Sequence, residues 1–246
     1  MDTVLEECTL PLMLAELREG VCRANLALVR DGLVTLSFGN ASGVDRAAGV
    51  FVIKPSGVPY DELRPEHLVA VSLDDGRVVE GDLRPSSDTP THLRLYQRFA
   101  DIGGVVHTHS RAATAWAQAG RPIPAFGTTH ADHFHGPVPV TRQLTAGEVA
   151  GDYEAETGAV IVETLERLGL DPAEMPAILV ASHGPFTWGR DAGEAAENAT
   201  ALEAVAAIAF QTLALNPDAG SMADYLLERH FRRKHGPAAY YGQRRR

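Results

Sequence analysis

Two histidines are separated by one residue in the segment Val105-Val106-His107-Thr108-His109. The apolar residues ahead of them predict a β-strand, and alternate side chains of a strand point to the same face. Because neutral imidazole nitrogens bind divalent metals well, the pair predicts two ligands of one metal site. The same spacing is also compatible with two hydrogen-bonded histidines on a strand face.

A third imidazole is available at His183, which follows the apolar segment 178–181 and precedes Gly184-Pro185. Three neutral nitrogens with a fourth position open to substrate are typical of a catalytic zinc site. A second group of potential ligands crowds one predicted loop and consists of His130, Asp132, His133 and His135. Spacing alone does not choose between the two groups.

The elements that must position these side chains follow from periodicity and turn residues. Strands are predicted over 34–38, 50–54, 68–73, 77–80, 104–109, 138–141 and 177–181, and helices over 13–28, 89–99, 112–118, 153–168, 192–215 and 222–235. Small-residue loops are predicted at 39–42 and 55–57, and the Asp74-Asp75-Gly76 turn predicts a hairpin. This order predicts an α/β fold, a three-layer α/β/α sandwich with a mixed sheet.

Bulk composition narrows the class of protein. The 246 residues are expected to form one domain over 1–246, and a net charge of -10 disfavours nucleic acid or an anionic membrane surface as a partner. No apolar run approaches the ~20 residues that cross a bilayer, and the first residues are acidic where a secretory signal is basic. We therefore expect a cytoplasmic protein with no membrane partner. The basic cluster 244–246 is expected to be a solvated tail.

Nine segments, in this order along the chain, resemble the class II aldolase and epimerase family. They are NLALVRDGLVTLSFGNAS, VFVIKPSGV, PSSDTPTHLRLYQRF, GGVVHTHS, WAQAG, GTTHAD, ETGAVIVET, SHGPFTWG and RKHGPAAYYGQ. The likeness runs from Leu12 to Gln243, which leaves 1–11 as an N-terminal extension. It implies a central mixed, largely antiparallel sheet. The sequence departs from the family pattern at Phe134 and His135.

The resemblance implies a complete set of site residues. The metal ligands would be Asp88, His107, His109 and His183, which favours this group over the loop cluster, and zinc is the expected ion, with other divalent metals as alternatives. The substrate-binding residues would be Gly39, Asn40, Lys54, Ser56, Gly57, Ser86, Ser87, Thr128, His230 and Arg233. Small loops that expose amides and hydroxyls, and a helix N-terminus after Ser87, suit a phosphate group.

The activity that the resemblance implies is the interconversion of L-ribulose 5-phosphate and D-xylulose 5-phosphate. Because C4 of this phosphorylated pentulose carries no acidic hydrogen, inversion there requires retro-aldol cleavage of the C3–C4 bond and re-addition. The two catalytic proton relays would be Asp132 and Tyr241, contributed by a neighbouring subunit of a homotetramer. The substrate would come from arabinose or ascorbate breakdown.

Two other functions stay open at this stage. A fuculose-phosphate-type aldolase would cleave the substrate and release the products, but that type uses a glutamate where this chain has Asp88. A non-catalytic binding module, like the head domain of adducin, would share the fold without the chemistry. All four ligand positions and both relay positions are filled here, which argues against the module.

Overall fold

A computed structural model describes residues 3–235 and 239–240, with side chains from residue 14 onwards. The helices are α1 (Thr3–Arg30), α2 (Thr89–Arg98), α3 (Arg111–Gln118), α4 (Thr128–Ala131), α5 (Ala146–Ala150), α6 (Tyr153–Leu168), α7 (Ala192–Leu215) and α8 (Asp224–His235). The strands are β1 (Asn40–Asp45), β2 (Val50–Ile53), β3 (Val69–Ser72), β4 (Val78–Glu80), β5 (Gly104–His107), β6 (Ala177–Leu179) and β7 (Pro185–Gly189). A short 3-10 helix spans Pro65–His67.

The seven strands form one sheet in the order β4-β3-β2-β1-β5-β7-β6. Every pairing between these strands is antiparallel. Among the described residues, the parallel component of the expected mixed sheet is one isolated bridge between Val140 and Leu179. The largely antiparallel sheet is therefore confirmed, and β5 lies in its interior between β1 and β7.

Alternation along the strands sends side chains to cores on both faces of the sheet. In β2, Phe51 and Ile53 pack with Leu95 of α2 and Ile161 of α6, whereas Val52 faces the core shared with α1 and α7. A third cluster lies under α3 and the second half of α7. The three-layer α/β/α arrangement is thus confirmed.

The predicted strand over 34–38 and loop over 39–42 are wrong. Residues 34–39 form an irregular turn in which Leu36 has a φ of 56° and is 80% exposed, and the small residues after it form β1. A Cβ atom on Gly43 would lie 2.9 Å from Val21 and 3.1 Å from Leu17 of α1. Small residues fill this strand because α1 packs directly on it, not because the chain turns there.

Other predicted strands and helices agree with the structure to different degrees. The segment 138–141 makes isolated bridges and is not a strand, since Val138 pairs only with Ile123 and Val140 only with Leu179 among the described residues. Strand β7 was not predicted, because it begins at Pro185 and ends at a glycine. The helices at 89, 153 and 192 begin where they are predicted.

Helix α7 is, among the described helices, the one long and apolar enough to pass a test for a membrane span. Its buried residues, among them Ala195, Leu202 and Ala206, pack in two of the cores described above. This packing accounts for only part of the apolar composition, since 28% of the apolar stretch is buried and Ile208, Phe210 and Leu215 are exposed.

Candidate metal centre and substrate pocket

The three predicted imidazoles converge at one end of the two central strands. His107 is the last residue of β5 and pairs with Phe186 at the start of β7, so the loop carrying His183 lies beside it. One ligand nitrogen from each of His107, His109 and His183 lies within 4.8 Å of the other two. The ring centroids are 4.7 to 5.1 Å apart. Three donor nitrogens gathered this closely could hold one metal ion.

Contacts behind the rings fix how they present their nitrogens. His107 stacks on Phe186 at 4.2 Å, and its Nδ1 lies 3.0 Å from the carbonyl oxygen of Pro185. Donation from Nδ1 to this carbonyl leaves the Nε2 lone pair free for a metal. On the other side, Nδ1 of His183 lies 3.3 Å from the hydroxyl of Tyr153.

The turn after His109 is held by a carboxylate. Glu203 of α7 accepts hydrogen bonds from the amides of Ala112 and Ala113, at 2.7 and 3.0 Å. These are among the first amides of α3, which have no partner within the helix. The cap fixes the start of α3 and so the short segment that carries His109.

Two of the three imidazoles, those of His109 and His183, have lowered pKa values. Burial, with a contribution from neighbouring His107, lowers the pKa of His183 to about 4 and also lowers the pKa of His109. Neutral rings offer lone pairs at physiological pH, as metal ligation requires. The donor set, its spacing and its protonation all fit a divalent cation such as zinc.

Asp88 lies beside the triad at the start of α2, as predicted, although its carboxylate is not in the group of mutually close ligand atoms. Its Oδ2 accepts a hydrogen bond of 2.6 Å from Asn40. Burial acts to raise the pKa of Asp88, but the imidazoles of His107 and His92 and the Asn40 amide outweigh it and hold the pKa below its usual value. The carboxylate is therefore charged.

The triad opens into a cavity of about 320 Å³. It gathers the small-residue loops that the sequence singled out, and its lining includes Gly39, Asn40, Lys54, Ser56, Gly57, Ser86, Ser87, Asp88, His107, His109 and His183. Of the predicted substrate-binding residues, Thr128, His230 and Arg233 are not among the lining residues.

Lys54 is the one lysine or arginine among the described residues that line this cavity. Its ammonium donates to the carbonyl of Val58 at 2.9 Å and lies 4.7 Å from the centre of the Tyr60 ring. Burial lowers the pKa of Lys54. With the hydroxyls of Ser56, Ser86 and Ser87 nearby, the arrangement suits an anion such as a phosphate.

Asp132 belongs to a second cluster. Arg233 and His230 of α8 bind its carboxylate, at 2.8 to 3.1 Å, and the carbonyl of Asp132 accepts a hydrogen bond from His235 at 2.9 Å. Burial acts to raise the pKa of Asp132, but Arg233 and His230 outweigh it and lower the pKa. Tyr241 lies outside the described residues.

The rival loop cluster does not converge on a metal position. His130 bonds to the Gly136 carbonyl at 2.7 Å, and His133 lies 3.2 Å from the ammonium of Lys234. The two nitrogens of His135 face the carboxylates of Glu174 and Glu228, at 2.9 and 2.8 Å. These side chains hold α8 against the loop.

Sequence reasoning missed several residues at the site, among them three that lie on helices. Tyr153 and Glu154, at the start of α6, line the cavity, and His92 lies buried behind Asp88. No motif marks the first two, because α6 reaches the cavity only in the folded chain. The sequence signal for His92 is its position four residues after Asp88, because residues four apart on a helix share a face.

Comparison with known proteins finds relatives that match this chain over nearly all of their own length. The family described as the Class II Aldolase and Adducin N-terminal domain matches residues 19–210. L-ribulose-5-phosphate 4-epimerase UlaF of Salmonella paratyphi C (strain RKS4594) is 54% identical over 229 residues, which are 93% of this chain and 99% of that protein. The same named protein of Salmonella typhi matches to the same extent.

Solved structures share the fold. An L-fuculose 1-phosphate aldolase superposes with a TM-score of 0.72 at 24% identity, over 87% of this chain and 94% of that one. YgbL of Escherichia coli, a putative aldolase/epimerase/decarboxylase, superposes with a TM-score of 0.69 at 26% identity, over 88% and 98%.

Proposed function

The chain belongs to the class II aldolase and adducin N-terminal domain family, and from this premise we propose that it is an isomerase, an L-ribulose-5-phosphate 4-epimerase. One observation carries the proposal. The His107–His109–His183 triad and the serine loops around Lys54 line one cavity, so a metal and a phosphate can act on the two ends of one small molecule. The relatives named L-ribulose-5-phosphate 4-epimerase, which match nearly the whole chain, supply the substrate.

The chain's own residues would hold the phosphorylated pentulose at both ends. Ser56, Ser86 and Ser87 donate hydrogen bonds to the phosphate, and Lys54 supplies positive charge beside it. The backbone amides of the loops at 39–40 and 56–57 add further donors. This grip keeps the phosphorylated fragment in the cavity after cleavage, so that it recombines rather than leaves.

The three imidazoles and the Asp88 carboxylate would hold the metal. A divalent ion in this position supplies a Lewis acid for the negative charge that develops on substrate oxygen when the C3–C4 bond breaks. Asp88 is kept charged and oriented by Asn40. Zinc is the ion we propose, since neutral imidazoles and one carboxylate are its usual ligands.

Epimerisation needs a proton relay on each face of the aldehyde fragment, and we assign these roles to Asp132 and Tyr241. The lowered pKa of Asp132 keeps it ionised, ready to accept a proton from the C4 hydroxyl. In one chain Asp132 is not among the residues lining the cavity. A neighbouring subunit of a homotetramer would bring the two halves together, which accords with the separation of the two clusters. We further propose a cytoplasmic location and a role in carbohydrate catabolism.

The decisive experiment is the product of incubation with L-ribulose 5-phosphate and zinc. Formation of D-xylulose 5-phosphate supports the proposal. Accumulation of glycolaldehyde phosphate and dihydroxyacetone, with turnover of L-fuculose 1-phosphate, would instead identify an aldolase. No turnover of either sugar phosphate by protein shown to hold its metal would point to a binding module.

A further inference from the structure

Three buried side chains form a hydrogen-bonded chain behind Asp88. The hydroxyl oxygen of Ser42 lies 2.7 Å from Nδ1 of His92 and 2.7 Å from the hydroxyl of Tyr96. All three residues have no solvent-exposed surface. Such a chain has a direction, because each hydroxyl has a single proton to donate.

The second ring nitrogen of His92, Nε2, indicates what this chain of hydrogen bonds could do. Nε2 is buried and has no hydrogen-bond partner among the described residues. His92 lies one helical turn after Asp88, and its amide donates to the Asp88 carbonyl at 3.1 Å. The carboxylate of Asp88 is the acidic neighbour that acts on His92 electrostatically.

Two directions of donation can be compared. If Tyr96 donates to Ser42 and Ser42 donates to Nδ1, the neutral ring carries its proton on Nε2. In the reverse direction the Tyr96 proton is left unpaired in the core, and Nε2 carries a lone pair, which cannot pair with a carboxylate because a carboxylate only accepts. Ser42 is the partner recorded for the Tyr96 hydroxyl among the described residues, so donation to Ser42 is what satisfies the Tyr96 proton. The first direction satisfies more groups.

We propose that the Tyr96–Ser42 pair holds His92 in its Nε2–H tautomer, and that this N–H is a hydrogen-bond donor for Asp88 when Asp88 serves the metal. His92 is then a positioning residue. Asn40 holds one oxygen of the carboxylate, and His92 would orient the other. This inference rests on the proposed function only through the metal at the triad.

A packing role alone explains these contacts less well. A phenylalanine would fill a similar volume without bringing a buried N–H that lacks a partner, which is costly in a low-dielectric interior. The Nε2–H group of His92 gains a partner if the carboxylate of Asp88, one helical turn away, moves to accept its hydrogen bond. Groups behind metal ligands commonly act in this way.

The tautomer can be measured directly. Nitrogen-15 NMR of histidine-labelled full-length protein, without metal, separates Nδ1–H from Nε2–H rings by their nitrogen shifts and two-bond couplings. The signal missing in His92→Gln identifies His92. We expect the Nε2–H form in the wild type. An Nδ1–H ring at this position would overturn the proposal.

The consequence for metal binding is tested by zinc affinity, measured on full-length protein against a chromophoric chelator. His92→Phe should weaken zinc binding by about 10- to 100-fold. His92→Gln, whose amide nitrogen can replace Nε2, should recover most of the affinity. In an Asp88→Asn background, His92→Phe should add little, because the two residues act as one unit.

Unchanged zinc affinity in folded His92→Phe, or a loss fully additive with that of Asp88→Asn, would contradict the proposal. A fall in melting temperature of the metal-free protein without a change in affinity would assign His92 to packing. If His92→Phe does not fold, the tautomer measurement on the wild type decides alone. Wild-type turnover is a separate readout, so the failure of the epimerase function would be recognised independently.

Discussion

The Arg233 guanidinium binds both oxygens of the Asp132 carboxylate, with Nη2 at 3.0 Å from Oδ1 and 2.8 Å from Oδ2. The two residues are 101 positions apart in the chain. Arg233 lies on α8, for which Phe231 is the buried residue, so polar contacts supply much of what holds that helix. The charge and orientation of the proposed relay therefore depend on the docking of α8.

Asp132→Asn should lower turnover by about 10²-fold or more while leaving zinc affinity unchanged, because the amide cannot accept the proton. Subunit mixing gives a sharper test. Co-assembly of Asp132→Asn chains with inactive His107→Asn chains should restore activity to about a quarter of the wild-type level if each site joins two subunits of a ring. No recovery in verified mixed tetramers would mean that each site is built from one chain.

Tyr241→Phe should also slow turnover by about 10²-fold or more and leave metal content and assembly unaltered. Tyr240→Phe is the matched control, since Tyr240 is 69% exposed and has no proposed role. Steady-state rates in both directions of the reaction separate the two. A normal rate for Tyr241→Phe would remove it as a relay.

His107→Asn should abolish both zinc binding and activity, because it removes one of three imidazoles and the ring that the Pro185 carbonyl orients. His133→Asn provides the comparison, since it lies in the rival cluster and should keep its zinc. Metal analysis after gel filtration measures both. Zinc loss in His133→Asn but not in His107→Asn would show that the metal binds to the loop that carries His133.

Gly39→Ala should damage the site by moving its backbone. Gly39 has a φ of 87°, and a Cβ there would lie 2.8 Å from the His107 carbonyl oxygen. Gly49→Ala is the control, because Gly49 has a φ of 67° but no atom within 4 Å of its added Cβ. Both should lose about 1 kcal/mol from the left-handed backbone, and only Gly39→Ala should also weaken zinc binding. Equal zinc affinity in the two variants would contradict this.

Acid should destabilise the fold through its buried neutral histidines. Burial, with the positive charge of Lys234, lowers the pKa of His133 to about 4 from its usual 6.5. Between those values the unfolded chain binds a proton that the folded chain does not, so stability falls as pH drops from 6.5 to 4. Urea unfolding of metal-free protein should show this slope, and His133→Asn should make it shallower. An identical slope in the variant would assign the effect to other groups.

Many of the helices and strands could be predicted because they depend on local sequence patterns. The helices at 153 and 192 are capped by Asp152 and Asp191, and Pro90 lies in the first turn of the helix at 89. The His107–His109 spacing predicted two neighbouring candidate ligands, although β5 ends at His107 and His109 lies in the segment after it. His183 and the phosphate loops needed the family resemblance, since their proximity arises from strand pairing far along the chain. The cavity brings these residues together as that resemblance implied.

What could not be predicted depended on packing between distant elements. The small residues at the start of β1 have low strand preference and predict a loop, yet they form a strand because α1 approaches so closely at Gly43 that larger side chains do not fit. Tyr153 reaches His183 across the fold, and Ser42 reaches His92, without any signal in their neighbours. Contacts of this kind become visible only when the tertiary structure is known.

The interior position of β5 has a consequence for how a metal bound at the triad would leave. With β1 on one side and β7 on the other, the amides leading to His107 are shielded from exchange unless the whole sheet opens. The slowest-exchanging amides should therefore lie at 104–107. The backbone that carries His107 is therefore the most firmly held of the three, whereas His109 and His183 lie outside the strands, so dissociation of a bound ion should begin from those two.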